Sequence, residues 1–141
     1  MSVTLDELKQ AIDSLFPNPE TITAEAVQRA CINRHYYLIY YAMLIVIKDN
    51  FPQYDMGRDG SFSNTGSHDR VFRVFEDIAE LTDSKFAKRL ALQFTDFLTK
   101  RHKADYKLDE SFSSGEYDQC LRYVDRIPQL AQALVDEKNS Y

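Results

Sequence analysis

The most constraining feature of the chain is the unbroken apolar run Tyr36–Ile47, YYLIYYAMLIVI, set inside a longer segment of helical character from about Thr23 to Asn50. Its first half is amphipathic, with Val27 and Cys31 on one side, whereas the run itself is apolar on every face. A helix hydrophobic all round is one that others wrap, so the run predicts the central element of a bundle. Tyr37, Tyr41 and Leu44 fall at i, i+4 and i+7, which predicts the buried stripe of that helix. The run has 12 residues, where a membrane span needs about 20, so no membrane association is expected.

The rest of the chain supplies the partners. Thr4 followed by Glu7 reads as a capping box, with Val3 able to staple against Leu8. Leu5, Leu8, Ile12, Leu15 and Phe16 then recur at helical spacing until Pro17 and Pro19 stop them. Residues 51–66 hold three of the four Gly and predict one long loop, functional or mobile. Ser67, with Asp69 in the first turn, opens a third helix carrying Val71, Phe72, Phe75 and Ile78. A cap at Thr82 or Asp83 begins a fourth, with Phe86, Leu90, Phe94, Phe97 and Leu98, which runs into Lys100–Tyr106. A second capping box, Ser113 with Glu116, opens the last helix, where Pro128 predicts a kink. No segment alternates as a strand would. The expected fold is all-α: a single-domain, up-and-down bundle of about five helices over the 141 residues.

Charge narrows the partners. The formal net charge is −5, which opposes indiscriminate coating of nucleic acid. Residues 85–107, however, hold seven Lys or Arg against two Asp, leaving −10 on the other 118 residues. A basic island on an acidic protein suits a phosphate ligand, or equally a solvated face paired with acidic neighbours. Cys31 and Cys120 lie far apart without a Cys-x-x-Cys spacing, so neither a disulfide framework nor a zinc site is expected. The polar, acidic start MSVTLDELKQ does not read as a signal peptide, and the expected location is cytoplasmic. Phosphate-loop, His-Glu-x-x-His and Gly-x-Ser-x-Gly motifs are absent, and no cofactor is expected.

The chemistry concentrates at Lys100-Arg101-His102-Lys103-Ala104-Asp105-Tyr106. Arg101 suits a bidentate phosphate contact, flanked by Lys100 and Lys103 as nucleic-acid-binding cations. The candidates for moving a proton are His68, His102, Asp105 and Tyr106. His68 is included because it opens the third helix directly after the long loop, whereas His35 fits a satisfied buried histidine.

Three segments in order resemble the HEPN family (higher eukaryotes and prokaryotes nucleotide-binding). Asn33-Arg34-His35-Tyr36-Tyr37, continuing to Ala42, is similar to its second-helix signature. Gly66-Ser67-His68-Asp69 is similar to the segment opening its third helix, and Arg101-x-x-Ala104-Asp105-Tyr106 to the motif closing the fourth in one large branch. The resemblance covers roughly residues 24–134. It implies a bundle that pairs into a homodimer with the fourth-helix motifs facing a shared cleft, and Phe94, Phe97 and Leu98 beside the basic residues are expected to contribute to that surface. It further implies RNA or nucleotide binding in a prokaryotic toxin–antitoxin or phage-defence system, with a nucleotidyltransferase-type antitoxin or another defence protein as partner. Many members are metal-independent ribonucleases whose Arg is followed after four to six residues by His. Here Asp105 and Tyr106 occupy the fourth and fifth positions after Arg101, and His102 points about 100° away on the helix. The expected function is therefore a binding or partner module with a divergent site, the alternative being a divergent ribonuclease toxin. Arg29 and His35 match the Arg-to-His spacing by count, but on the second helix, where the family does not place its site.

Overall fold

The computed structural model describes residues 3–140, and among them the regular structure is entirely helical. The helices are α1 (Leu5–Leu15), α2 (Glu25–Asn50), α3 (Ser67–Thr82), α4 (Lys85–Tyr106) and α5 (Ser114–Asn139), with one 3-10 turn at Pro19–Thr21. No helix is long and apolar enough to cross a membrane.

Local chemistry sets the boundaries. Thr4 caps α1 by accepting from the Glu7 N–H, and Ser113 and Glu116 form the reciprocal box that starts α5. The start of α4 differs from expectation by one or two residues. Ser84, not Thr82 or Asp83, is its cap, accepting from the Ala87 N–H. Asp83 instead ends α3 in the left-handed region at φ 56°, a conformation a short polar side chain tolerates. Helix α5 continues through Pro128, whose missing N–H leaves the Val124 carbonyl without its usual partner.

Packing places α2 and α4 at the centre. α2 packs on each of the other four helices, and α4 packs on α2, α3 and α5. The buried stripe of α2 is Ile32, Tyr36, Ile39, Met43 and Ile47, one residue off the expected Tyr37, Tyr41 and Leu44. Tyr41 is 47% exposed and Ile45 44%, so the run of apolar residues is covered on most sides but not all. When every position is apolar, periodicity cannot say which face turns inward. The shift is measurable: Met43→Ala is expected to cost about 2–3 kcal/mol in a urea titration and Leu44→Ala about 1 kcal/mol or less. Equal losses at the two positions would contradict this register.

One further expectation changes. Phe94 and Phe97 are fully buried within the protomer, so they are core and offer no surface to a second copy, whereas Leu98 is only partly buried. The 51–66 loop is strapped to α3, with Arg70 donating to the carbonyls of Ser61 (3.0 Å), Asp55 (3.2 Å) and Gly57 (2.9 Å). Within it Gly60 passes so close to the Asp55 carbonyl that a Cβ would lie 2.1 Å from the oxygen. Both cysteines are free and buried, and burial pushes the Cys120 thiol up to about 12.

Candidate phosphate-binding cleft

Between the start of α3, the C-terminal half of α4 and the start of α5 lies an open cleft of about 660 Å³. It exists because α2 holds the end of α4 in place. Arg29, buried in α2, sends Nη1 to the carbonyls of Ala104 (3.1 Å), Lys103 (3.3 Å) and Lys107 (3.3 Å), and Nη2 to that of Glu110. Of these, the Ala104 carbonyl is one that the helix end leaves without an intrahelical donor, those of Lys103 and Lys107 also accept backbone N–H groups, and a cation is favoured at that end. Arg29 therefore caps α4 from another helix. His35, the other half of the fortuitous spacing, is buried and donates from Nδ1 to its own helix at the Cys31 carbonyl, 2.9 Å away.

Arg101 lines the cleft, yet only 4% of its surface is exposed. Its Nη1 donates to Asp105 Oδ2 at 3.2 Å, and the same oxygen accepts from Asn33 Nδ2 at 2.9 Å. The guanidinium lies 4.6 Å from the centroid of the Tyr36 ring and 5.6 Å from that of Tyr37. Burial works most strongly against its charge, but the Asp105 hydrogen bond and charge together with Tyr36 and Tyr37 outweigh it and hold the pKa above the ordinary value. One buried donor is left over: Arg101 Nε has no partner among the described residues.

His68 joins this group through Tyr36, whose hydroxyl lies 2.8 Å from His68 Nδ1. The imidazole also packs on Tyr40, with centroids 4.4 Å apart. Burial pushes the Tyr36 hydroxyl well above its usual range, although Arg101 pulls the other way. The phenol is thus protonated at neutral pH. When it donates to Nδ1, a neutral imidazole carries its proton on the other ring nitrogen.

Burial lowers the His68 pKa below its ordinary 6.5, with the Arg101 charge as the next cause and Asp69 opposing both. A proton titration followed by NMR is expected to put His68 below 6.5. In Arg101→Gln the midpoint should rise without reaching 6.5, because burial remains. Because the folded state resists protonation, the His68 contribution to stability is complete above about pH 6.5 and shrinks as pH falls below it. A His68 midpoint at or above 6.5 in the wild type would contradict this environment.

The other sequence candidates divide. His102 lines the cleft and is exposed, its ring 4.9 Å from that of Tyr106. Tyr106 is 65% exposed and stands outside the cleft lining. Asp105 is turned to Arg101 and Asn33. Lys100 and Lys103 line the cleft, but each is engaged: Lys100 Nζ is 2.6 Å from Asp96, and Lys103 Nζ is 2.9 Å from Glu116. Asn33, Tyr36 and Tyr37 contact this group, and motif reasoning about α4 alone misses them. Their signal is the helical spacing of 29, 33, 36, 37 and 40, which puts one face of α2 against the end of α4 and the start of α3. Comparison with protein-family models, curated proteins and solved structures gives no match.

Proposed function

We propose that the protein is a HEPN-like RNA- or nucleotide-binding module, a homodimer that acts with a protein partner in a toxin–antitoxin or phage-defence system. The observation that carries the reading is Arg101: a cleft-lining guanidinium over the Tyr36 ring, hydrogen-bonded to Asp105, with a buried Nε that has no partner among the described residues. A phosphate oxygen is the acceptor such a fork matches, and the surrounding low-dielectric aromatics strengthen the contact. Lys100, Lys103 and Arg101 are each paired with an acidic neighbour, and of the three only the guanidinium offers a planar fork that matches a phosphate. The defence context and the homodimer rest on the three ordered motifs that resemble the family.

The test is fluorescence anisotropy with labelled RNA and with labelled nucleotide at low salt, together with light scattering at tens of micromolar. Salt-sensitive binding and a dimeric mass are expected. Absence of binding to either ligand removes the reading, and a monomeric mass removes the dimer.

Ribonuclease activity is the second reading, and one observation favours it. His68, from a different helix, stands beside Arg101 in the same cleft through Tyr36, so a histidine is at hand although none follows Arg101 at the expected spacing. Neutral at physiological pH, it suits proton transfer. Cleavage of a fluorescent RNA that disappears in His68→Gln would establish this reading. Cleavage unchanged in that variant would remove His68 from it.

A further inference from the structure

A second polar groove, about 440 Å³, lies further along the same pair of helices, lined by Arg89 and Gln93 of α4 and Arg126, Gln129 and Leu130 of α5. Neither arginine has an ion-pair or hydrogen-bond partner among the described residues, and both are exposed. Gln93, on the same groove, has a buried Oε1 without a donor among the described residues. The groove and the cleft are connected by sequence geometry. Arg89, Gln93, Asp96, Lys100, Lys103 and Lys107 alternate spacings of four and three, which makes them one face of α4. That face meets α5 in antiparallel register, since Lys103 pairs with Glu116, Asp96 accepts from the Tyr123 hydroxyl, and Arg89 shares a groove with Arg126.

From this we infer that the α4–α5 seam is a track for single-stranded RNA, with Arg89 and Arg126 forming a second phosphate subsite beyond the Arg101 cleft. The inference rests on the proposed binding function and names its ligand as a strand instead of a mononucleotide. Twelve residues of helix separate Arg89 from Arg101, about 18 Å of axial rise, which a strand of several nucleotides spans and a mononucleotide does not. Free cations stand at the two ends, Lys107 at the cleft and the arginine pair at the groove, while the lysines between them are held by Asp96 and Glu116. The phosphates of such a strand are acceptors that the two arginine forks match.

The test uses the full chain, a labelled RNA dinucleotide and a labelled RNA octanucleotide, with anisotropy measured across salt. The wild type is expected to bind the octanucleotide at least about tenfold more tightly than the dinucleotide, through the added phosphate contacts. Arg89→Gln with Arg126→Gln, two exposed substitutions whose folding circular dichroism checks, should remove most of that gain. The same variant should lower the octanucleotide salt slope by about 1.4, the value for two single-strand phosphate contacts. Wild-type affinity and slope in the double variant would overturn the inference. So would a decaglutamate peptide that competes as well as the octanucleotide, because the seam would then belong to an acidic protein. Octanucleotide binding lost in the double variant but indifferent to Arg101→Lys would keep the seam and remove the Arg101 reading. Binding lost only in Arg101→Lys would do the reverse, and no binding by the wild type removes both.

Discussion

Arg29→Ala is expected to destabilise the protein by about 3–4 kcal/mol, more than the Met43→Ala truncation in the α2 core stripe. The substitution removes a buried cation and strands the carbonyls of Ala104 and Glu110, while those of Lys103 and Lys107 lose one of two donors and keep the N–H groups of Lys107 and Glu110. A single unsatisfied buried group costs about 1–3 kcal/mol, and water can reach some of these, which sets the total below the sum of the parts. The favourable charge at the C-terminus of α4 is lost as well, and the Phe112 ring, 5.7 Å from the guanidinium carbon, loses its neighbour. Arg29→Lys should recover only part of the loss, because one ammonium cannot reach carbonyls distributed over Lys103–Glu110. Urea unfolding measures this as a fall in the midpoint at constant slope. A loss under about 1 kcal/mol would mean that water replaces the cap, and the last turn of α4 would then owe its position to packing alone.

The same residue shows what the sequence could and could not reveal. The helices were legible because capping boxes at Thr4 and Ser113, proline stops and apolar periodicity act within a few residues of chain. Arg29 was not legible as a cap, since its partners lie more than seventy residues away and are backbone atoms, which carry no sequence signal. The inward face of α2 was hidden for a different reason: with Tyr36 through Ile47 all apolar, the choice between Tyr36/Met43 and Tyr37/Leu44 falls to tertiary packing. At the site, residue types on α4 sufficed to single out Arg101. They could not reveal that Tyr36 lies beneath it and ties it to His68, because that contact joins three helices. Nor could composition show that Lys100 and Lys103 are internally paired, since Glu116 comes from α5. Short-range chemistry was readable, and partnerships across helices were not.

The largest expected effect on ligand affinity is at Arg101, and its neighbour Asp105 supplies the sign test. Arg101→Ala removes the fork, so RNA or nucleotide affinity should fall by about 10–100-fold, the range for a hydrogen bond to a charged group. That result alone is ambiguous, because the substitution also leaves Asp105 without its cation and opens space beside Tyr36. Asp105→Asn separates the possibilities. Its carboxylate accepts from both Arg101 and Asn33, so in the free protein it occupies one guanidinium donor and cancels the charge that a phosphate would meet. Asparagine keeps a carbonyl acceptor of similar shape and removes the negative charge. If Arg101 binds phosphate, Asp105→Asn should tighten binding by a few-fold, with a steeper salt dependence, even while it costs the fold about 1 kcal/mol. If Arg101 is only a structural arginine that holds Asp105 toward Asn33 on α2, both substitutions weaken the fold and neither changes affinity at temperatures where the protein is folded. Tighter binding in Asp105→Asn together with loss in Arg101→Ala is a pattern that destabilisation cannot produce. A decrease in both would show that Asp105 itself meets the ligand, through a donor such as a base amine or a ribose hydroxyl.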